Sequence, residues 1–167
     1  MLTTLVESGC PRPSHAASLI TQENARPGQS DWVLTDPADH EVEGYASATS
    51  IQRGEPLRLY IHSTDPQVTV DIYRMGWYGG TGARLVRGGI TLPGARQPMP
   101  TPDPVTGLIE CRWQVSYTLT TETHEKNDWL SGVYLAKLTG SASGKQSYII
   151  FVVREDDRPS EFLFQSS

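Results

Sequence analysis

Cysteine is scarce: Cys10 and Cys111 are the two in 167 residues, far apart, which excludes a disulfide framework or a cysteine metal knuckle. Each reads as a plain thiol, because pairing them would require Cys10, in a stretch without periodicity, to be tethered to the domain. No apolar run approaches the length of a membrane-spanning helix, so no membrane span is expected. The opening MLTTLVESGCPRPSHAAS lacks the basic and apolar regions of a signal peptide; LVESGC hints at a lipoprotein cleavage site, but Glu7 lies close to the cysteine and a basic start is missing. The compartment stays unknown, with the cytoplasm as the default. Positive charge is also short: Lys+Arg 14 against Asp+Glu 19 leaves a net charge of -5, with both signs scattered, so nucleic acid is not an expected partner. Heptads, repeats and low-complexity tracts are missing, as are CxxC, HExxH, GxSxG and phosphate-loop motifs.

What is present points to strands. Fifteen glycines and twelve prolines make a turn-rich chain, and a hydrophobic share of 37% suffices for one core. Residues 1–22 read as a disordered tail, 23–158 as one domain, and 159–167 as the truncated start of a linker or next domain. Residues 32–34 form a short strand ended by Pro37, with Trp32 as its anchor or, alternatively, a stacking platform for a ligand. Residues 42–51 form another, carrying Tyr45. Leu57, Leu59 and Ile61 alternate with polar neighbours, as do Val68, Val70 and Ile72, and the STDP turn between them predicts a hairpin with these six side chains as its buried stripe. His62 then points outward as a surface histidine, with no partner at metal-ligand spacing.

Residues 83–90 follow as a strand that Gly88-Gly89 weakens or bulges. Five prolines from Pro93 to Pro104 predict an extended surface connection, crossing from one sheet to the other or serving as ligand for a proline-reading module. Residues 108–120 read as a strand with Cys111 turned inward. Residues 121–128 are a charged loop in which His124 and Glu125, adjacent and divergent, make no acid–base pair. Tyr134, Ala136 and Leu138 share one face after a Gly turn, and residues 148–153 are apolar on both faces and so covered on both, by the core and by a neighbouring domain or subunit. The result is an all-β fold: an immunoglobulin-like Greek-key β-sandwich of about seven to nine strands. Asp156 and Asp157, flanked by arginines, offer too few oxygens for calcium.

The stretch DIYRMGWYGGTGAR, residues 71–84, is the most distinctive. A strand runs into Gly76, Gly79, Gly80 and Gly82, which bracket Trp77 and Tyr78. Glycine frees the backbone to present or bury both rings. No amphipathic helix follows to give a phosphate site a dipole, so the loop is not a nucleotide site. Arg74, Trp77 and Tyr78 are the candidate binding residues. No catalytic residue, metal ligand or cofactor is expected in this chain.

ENARPG, DW, EGYASATS, DIYRMGWYGG with GAR, WLSGVYLAKLTG, GKQSYIIFVVRED and FLFQSS resemble the N,N-dimethylformamidase large (beta) subunit-like family over residues 22–167, in the region before its catalytic C-terminal domain. The resemblance implies an immunoglobulin-like sandwich leading into a glutamine-amidotransferase-like domain that hydrolyses an amide with iron held by two tyrosines and a glutamate. The sequence stops at Ser167, where that domain would begin, and Tyr73, Tyr78 and Tyr134 belong to the sandwich, so no iron ligand is assigned here. The expectation is a non-catalytic accessory module, a fragment lacking the iron domain, whose partner is the domain or subunit carrying the catalytic half. A free-standing glycan or cell-surface binding module using Trp77, Tyr78 and Arg74 is the alternative.

Overall fold

The structure, a computed structural model, describes residues 18–121 and 128–159. The expectations for residues 1–17, Cys10 pairing among them, for His124 and Glu125, and for residues 160–167 lie outside the described residues. One short helix, α1 (Leu19–Asn24), precedes eight strands: β1 (Val42–Ala46), β2 (Ser50–Gln52), β3 (Pro56–Ser63), β4 (Gln67–Met75), β5 (Ala83–Pro93), β6 (Tyr117–Thr120), β7 (Gly132–Gly140) and β8 (Gln146–Arg154). The strands form two sheets, ordered β1-β3-β6 and β2-β8-β7-β4-β5. The protein is therefore all-β. Helix α1 begins inside the segment expected as tail: Ser18 Oγ caps it by accepting from Thr21 N at 3.2 Å. Among the described residues no helix is long and apolar enough to cross a membrane.

Alternation along the strands builds the core. Leu57, Leu59, Ile61, Val68, Val70 and Ile72 are each at most 3% exposed, and Tyr134, Ala136, Leu138, Ile149, Phe151 and Val153 join them. Each large apolar side chain so buried stabilises the fold by about 1.5–3 kcal/mol. The stripe is as expected, but the hairpin is not. Strand β3 pairs with β1 and β6, whereas β4 pairs with β5 and β7, so the turn between them is an arch from one sheet to the other. The two halves of the stripe face each other across the core. Asp65 fixes the arch by accepting from Ser143 Oγ at 2.7 Å, Ser143 N at 3.1 Å and Ala142 N at 3.3 Å, all on the β7–β8 turn. Gly140 permits this approach, since a Cβ there would lie 1.9 Å from Asp65 Oδ2.

Gly88-Gly89 forms the expected bulge. Between the pairs Val70↔Ile90 and Ile72↔Arg87, Asp71 faces two residues, and its Oδ1 accepts from Gly89 N at 2.7 Å. Residues 42–51 divide into β1 and β2, which lie in different sheets. Residues 31–35 form no strand: Trp32 stays half-buried as an anchor, its Nε1 donating to Thr81 O at 2.9 Å.

The proline-rich connection crosses from the sheet of β5 to that of β6, and with residues 105–116 it forms a strap over the outer face of β1 and β3. This overturns two expectations. His62 does point away from the core, but the strap buries it to 8% exposure; its Nδ1 accepts from Gln97 N at 3.0 Å and its ring lies 5.8 Å from that of Trp113. Residues 108–116 make no ladder, so Cys111 is an exposed free thiol instead of an inward one. In β8, Ile149, Phe151 and Val153 face the core, but Ile150 is 62% exposed, so the described residues do not cover both faces of that strand.

Candidate functional site: the glycine loop and its arginine network

Strand β4 reaches Met75 and the chain must reverse into β5 within seven residues. Gly76 N donates to Gly82 O at 3.0 Å to close the reversal, while Gly79, Gly80 and Gly82 take φ of 67°, 94° and 89°, a region that penalises a Cβ. The turn sends its two rings opposite ways. Trp77 is 71% exposed and Tyr78 is buried.

Helix α1 docks on the buried side. Asn24 Oδ1 accepts from Trp77 N at 2.7 Å, and Glu23, itself buried, gathers the loop around one carboxylate. Its Oε1 accepts from Arg84 Nε at 2.6 Å and from the Tyr78 hydroxyl at 2.8 Å, and its Oε2 from Arg26 Nη1 at 3.1 Å. Arg74, also buried, donates from Nη1 to the Tyr78 oxygen at 3.0 Å and from Nη2 to Ser131 O at 2.8 Å. Ser131 links a second cluster: its N donates to Glu155 Oε2 at 3.2 Å and its Oγ accepts from Arg158 Nη2 at 2.7 Å. Glu155 also pairs with Arg158 at 3.0 Å and Arg53 at 2.8 Å.

The electrostatics fix the protonation states. Burial pushes the Glu23 carboxyl upward, but the hydrogen bonds from Arg84 and Tyr78 outweigh it and hold the group below its ordinary value. Burial, together with the charge of Glu23, raises the Tyr78 phenol against the pull of Arg74. At neutral pH Glu23 is an anion, and Tyr78 keeps its proton and donates a hydrogen bond to Glu23. Neither is available as a base or nucleophile. Arg74 Nε and Arg84 Nη2 are buried without a hydrogen-bond partner.

Of the three candidate binding residues, the structure brings Arg74 and Tyr78 together inside and leaves Trp77 outside, so they share no exposed platform. Glu23, Arg84, Ser131, Glu155 and Arg158 were missed as site residues. Glu23 and Tyr78 stand 55 positions apart, and no spacing rule links them. A separate open depression of about 440 Å³ lies on the strap between residues 98–104 and 108–112. Its charged side chains are engaged: Glu110 and Arg112 bond each other at 2.8 Å, and Asp103 Oδ1 accepts from Thr106 N at 2.7 Å and Thr106 Oγ1 at 2.9 Å.

The sequence model of the family described as "N,N-dimethylformamidase beta subunit-like, C-terminal" matches residues 69–167, more than half of the chain. The chain belongs to the N,N-dimethylformamidase beta subunit-like family. Within this family member the match begins in β4, so it takes in Arg74, Tyr78, Arg84, Ser131 and Glu155 but not Glu23. No curated protein sequence matches the chain. A similar solved structure is that of Pseudomonas fluorescens alkylpurine DNA glycosylase AlkC bound to DNA containing an abasic site analog. It is 18% identical, with a TM-score of 0.29, and the alignment covers 68% of this chain and 30% of that one. At that level of superposition it carries no argument about fold or function.

The iron implied by the family resemblance, held by two tyrosines and a glutamate, does not fit the glycine-loop site. Glu23 and Tyr78 are adjacent, but the carboxylate is occupied by Arg84 and Arg26 and the phenol by Arg74, so a cation would have to enter among guanidinium groups. The Tyr134 hydroxyl donates a hydrogen bond to Leu130 O at 2.6 Å. No group of three or more His, Cys, Asp or Glu placed to hold a metal occurs among the described residues.

Proposed function

We propose that this chain is a non-catalytic β-sandwich module of an N,N-dimethylformamidase-like amide hydrolase, with the iron and the bond-breaking groups in a catalytic half that is a different domain or subunit. The observation that carries the reading is the family match over residues 69–167, taken with a glycine loop whose ionisable groups are engaged with one another. The module contributes a rigid layered scaffold and contact area. An immunoglobulin-like Greek-key arrangement is supported by Tyr134 near the start of β7, whose hydroxyl donates back to Leu130 O, as the tyrosine corner of such sandwiches does. Glycan binding through Arg74, Trp77 and Tyr78 has one exposed ring to rest on, and nothing further favours it.

The test is to assay the purified chain alone and mixed with an N,N-dimethylformamidase-like catalytic polypeptide. The chain alone is expected to leave N,N-dimethylformamide intact and to hold no stoichiometric iron, and to co-purify with the catalytic half. Amide turnover by the chain alone, or failure to associate, overturns the reading.

A further inference from the structure

The network at the glycine-loop end is out of charge balance. Among the described residues, four guanidinium groups share two carboxylates: Arg26 and Arg84 donate directly to Glu23 and Arg158 to Glu155, while Arg74 reaches Glu23 through the Tyr78 hydroxyl and Glu155 through Ser131. The neighbouring Asp156 adds no compensation, since it is paired with a further arginine, Arg154, at 2.5 Å. The chain as a whole carries a formal charge of -5, so this end is opposite in sign to the rest. Two of the four, Arg74 and Arg84, are at least nine-tenths buried, and each keeps a buried nitrogen without a hydrogen-bond partner. Charge held in a low-dielectric interior is weakly screened and projects outward. The outward side bears the partly exposed Arg26, Arg53 and Arg158 and the ring of Trp77.

We infer that this end is a docking surface for a carboxylate-rich protein surface on the catalytic half, with Trp77 as its aromatic anchor; the inference rests on the function proposed above. Guanidinium groups suit the partner, because their planar fork pairs with carboxylates in a way an ammonium does not, and the cations of this network are arginines. Trp and Arg are the residues enriched where binding energy concentrates. An anionic membrane is the less fitting occupant: among the described residues this end offers one large exposed ring, Trp77, and its cations are arginines, where interfacial anchoring uses a wide apolar face.

Binding of the full chain to the catalytic polypeptide is measured by calorimetry, for the unaltered chain and for Trp77→Ala combined with Arg158→Ala, with thermal unfolding of both. The inference expects the double variant to keep its fold and bind at least about tenfold more weakly. It also expects binding of the unaltered chain to weaken as salt rises from about 50 to about 500 mM. If the unaltered chain binds while the folded variant binds equally well, or if salt has no effect, the inference falls and the proposed function stands. If the unaltered chain does not bind at all, the proposed function falls as well. Should the double variant fail to fold, Trp77→Ala alone, which removes an exposed ring, decides by the same criterion. Co-sedimentation with phosphatidylserine vesicles in preference to the catalytic polypeptide also overturns it.

Discussion

The two ends of β4, roughly 30 Å apart along a nine-residue strand, are both pinned by a buried carboxylate, but by different means. At the Gln67 end Asp65 accepts from neutral donors, the backbone and hydroxyl of the β7–β8 turn. The bonds stay local, and no cation is drawn in. At the Met75 end the single carboxylate of Glu23 accepts from two guanidinium groups, Arg26 and Arg84. A neutral-donor lock closes a turn and is complete in itself. A lock made with surplus charge leaves a field at the surface, and that is why function is sought at the glycine-loop end.

Removing the carboxylate should separate the two ends most sharply. Glu23→Ala leaves Arg84 buried against an empty site and Arg26 and Tyr78 without their acceptor, so urea unfolding should show a loss of about 3–5 kcal/mol. A loss below that of any Asp65 variant would break the comparison. Asp65→Asn keeps the size but weakens the acceptance of three donors, and the expected loss is about 1–3 kcal/mol.

Acid should reach the two ends in sequence. Glu23 has its folded value held below the ordinary 4.5, so its contribution is complete above that pH and is lost as pH falls through the lowered value. Asp65 is lowered from 3.8, chiefly by the Ser143 hydroxyl, so its contribution begins to fade only at lower pH. Stability measured from pH 6 to 2 should therefore lose, in Glu23→Gln, the part of the acid slope that begins near 4.5. An unchanged slope would show that Glu23 is not held ionised by its partners.

Tyr134→Phe removes one hydrogen bond at the Leu130 carbonyl, inside a stack with Trp129 and Phe151 that the ring preserves, and should cost about 1 kcal/mol. Trp77→Ala should shift stability by no more than about 0.5 kcal/mol, since the ring is exposed and its backbone N–H keeps the bond to Asn24. A large loss there would make Trp77 a structural residue and remove it from the docking surface.

Much of this fold was legible in the residues, and the gaps have physical reasons. The alternation at Leu57–Ile61 and Val68–Ile72 marked the buried side chains, and Gly88-Gly89 marked the bulge, because both are local properties of a strand. Local alternation does not say which sheet a strand joins, so the arch at Asp65 read as a hairpin. His62 and Cys111 were assigned to the wrong surroundings for one cause: the strap covers the first and carries the second, and it reaches them from distant sequence. In the candidate site the glycine loop was visible, but the burial of Arg74 and Tyr78 was not, because Glu23, which bonds Tyr78, lies on a six-residue helix that starts inside the segment read as tail and carries no apolar periodicity to announce it.

Hydrogen–deuterium exchange of the chain, free and mixed with the catalytic half, puts the central claim to the most direct test. The account predicts slowed exchange at residues 74–82 and 155–158 on mixing, and none at residues 63–67 or 140–146. Protection confined to the Asp65 end, or to Ile150 and its neighbours, would contradict it.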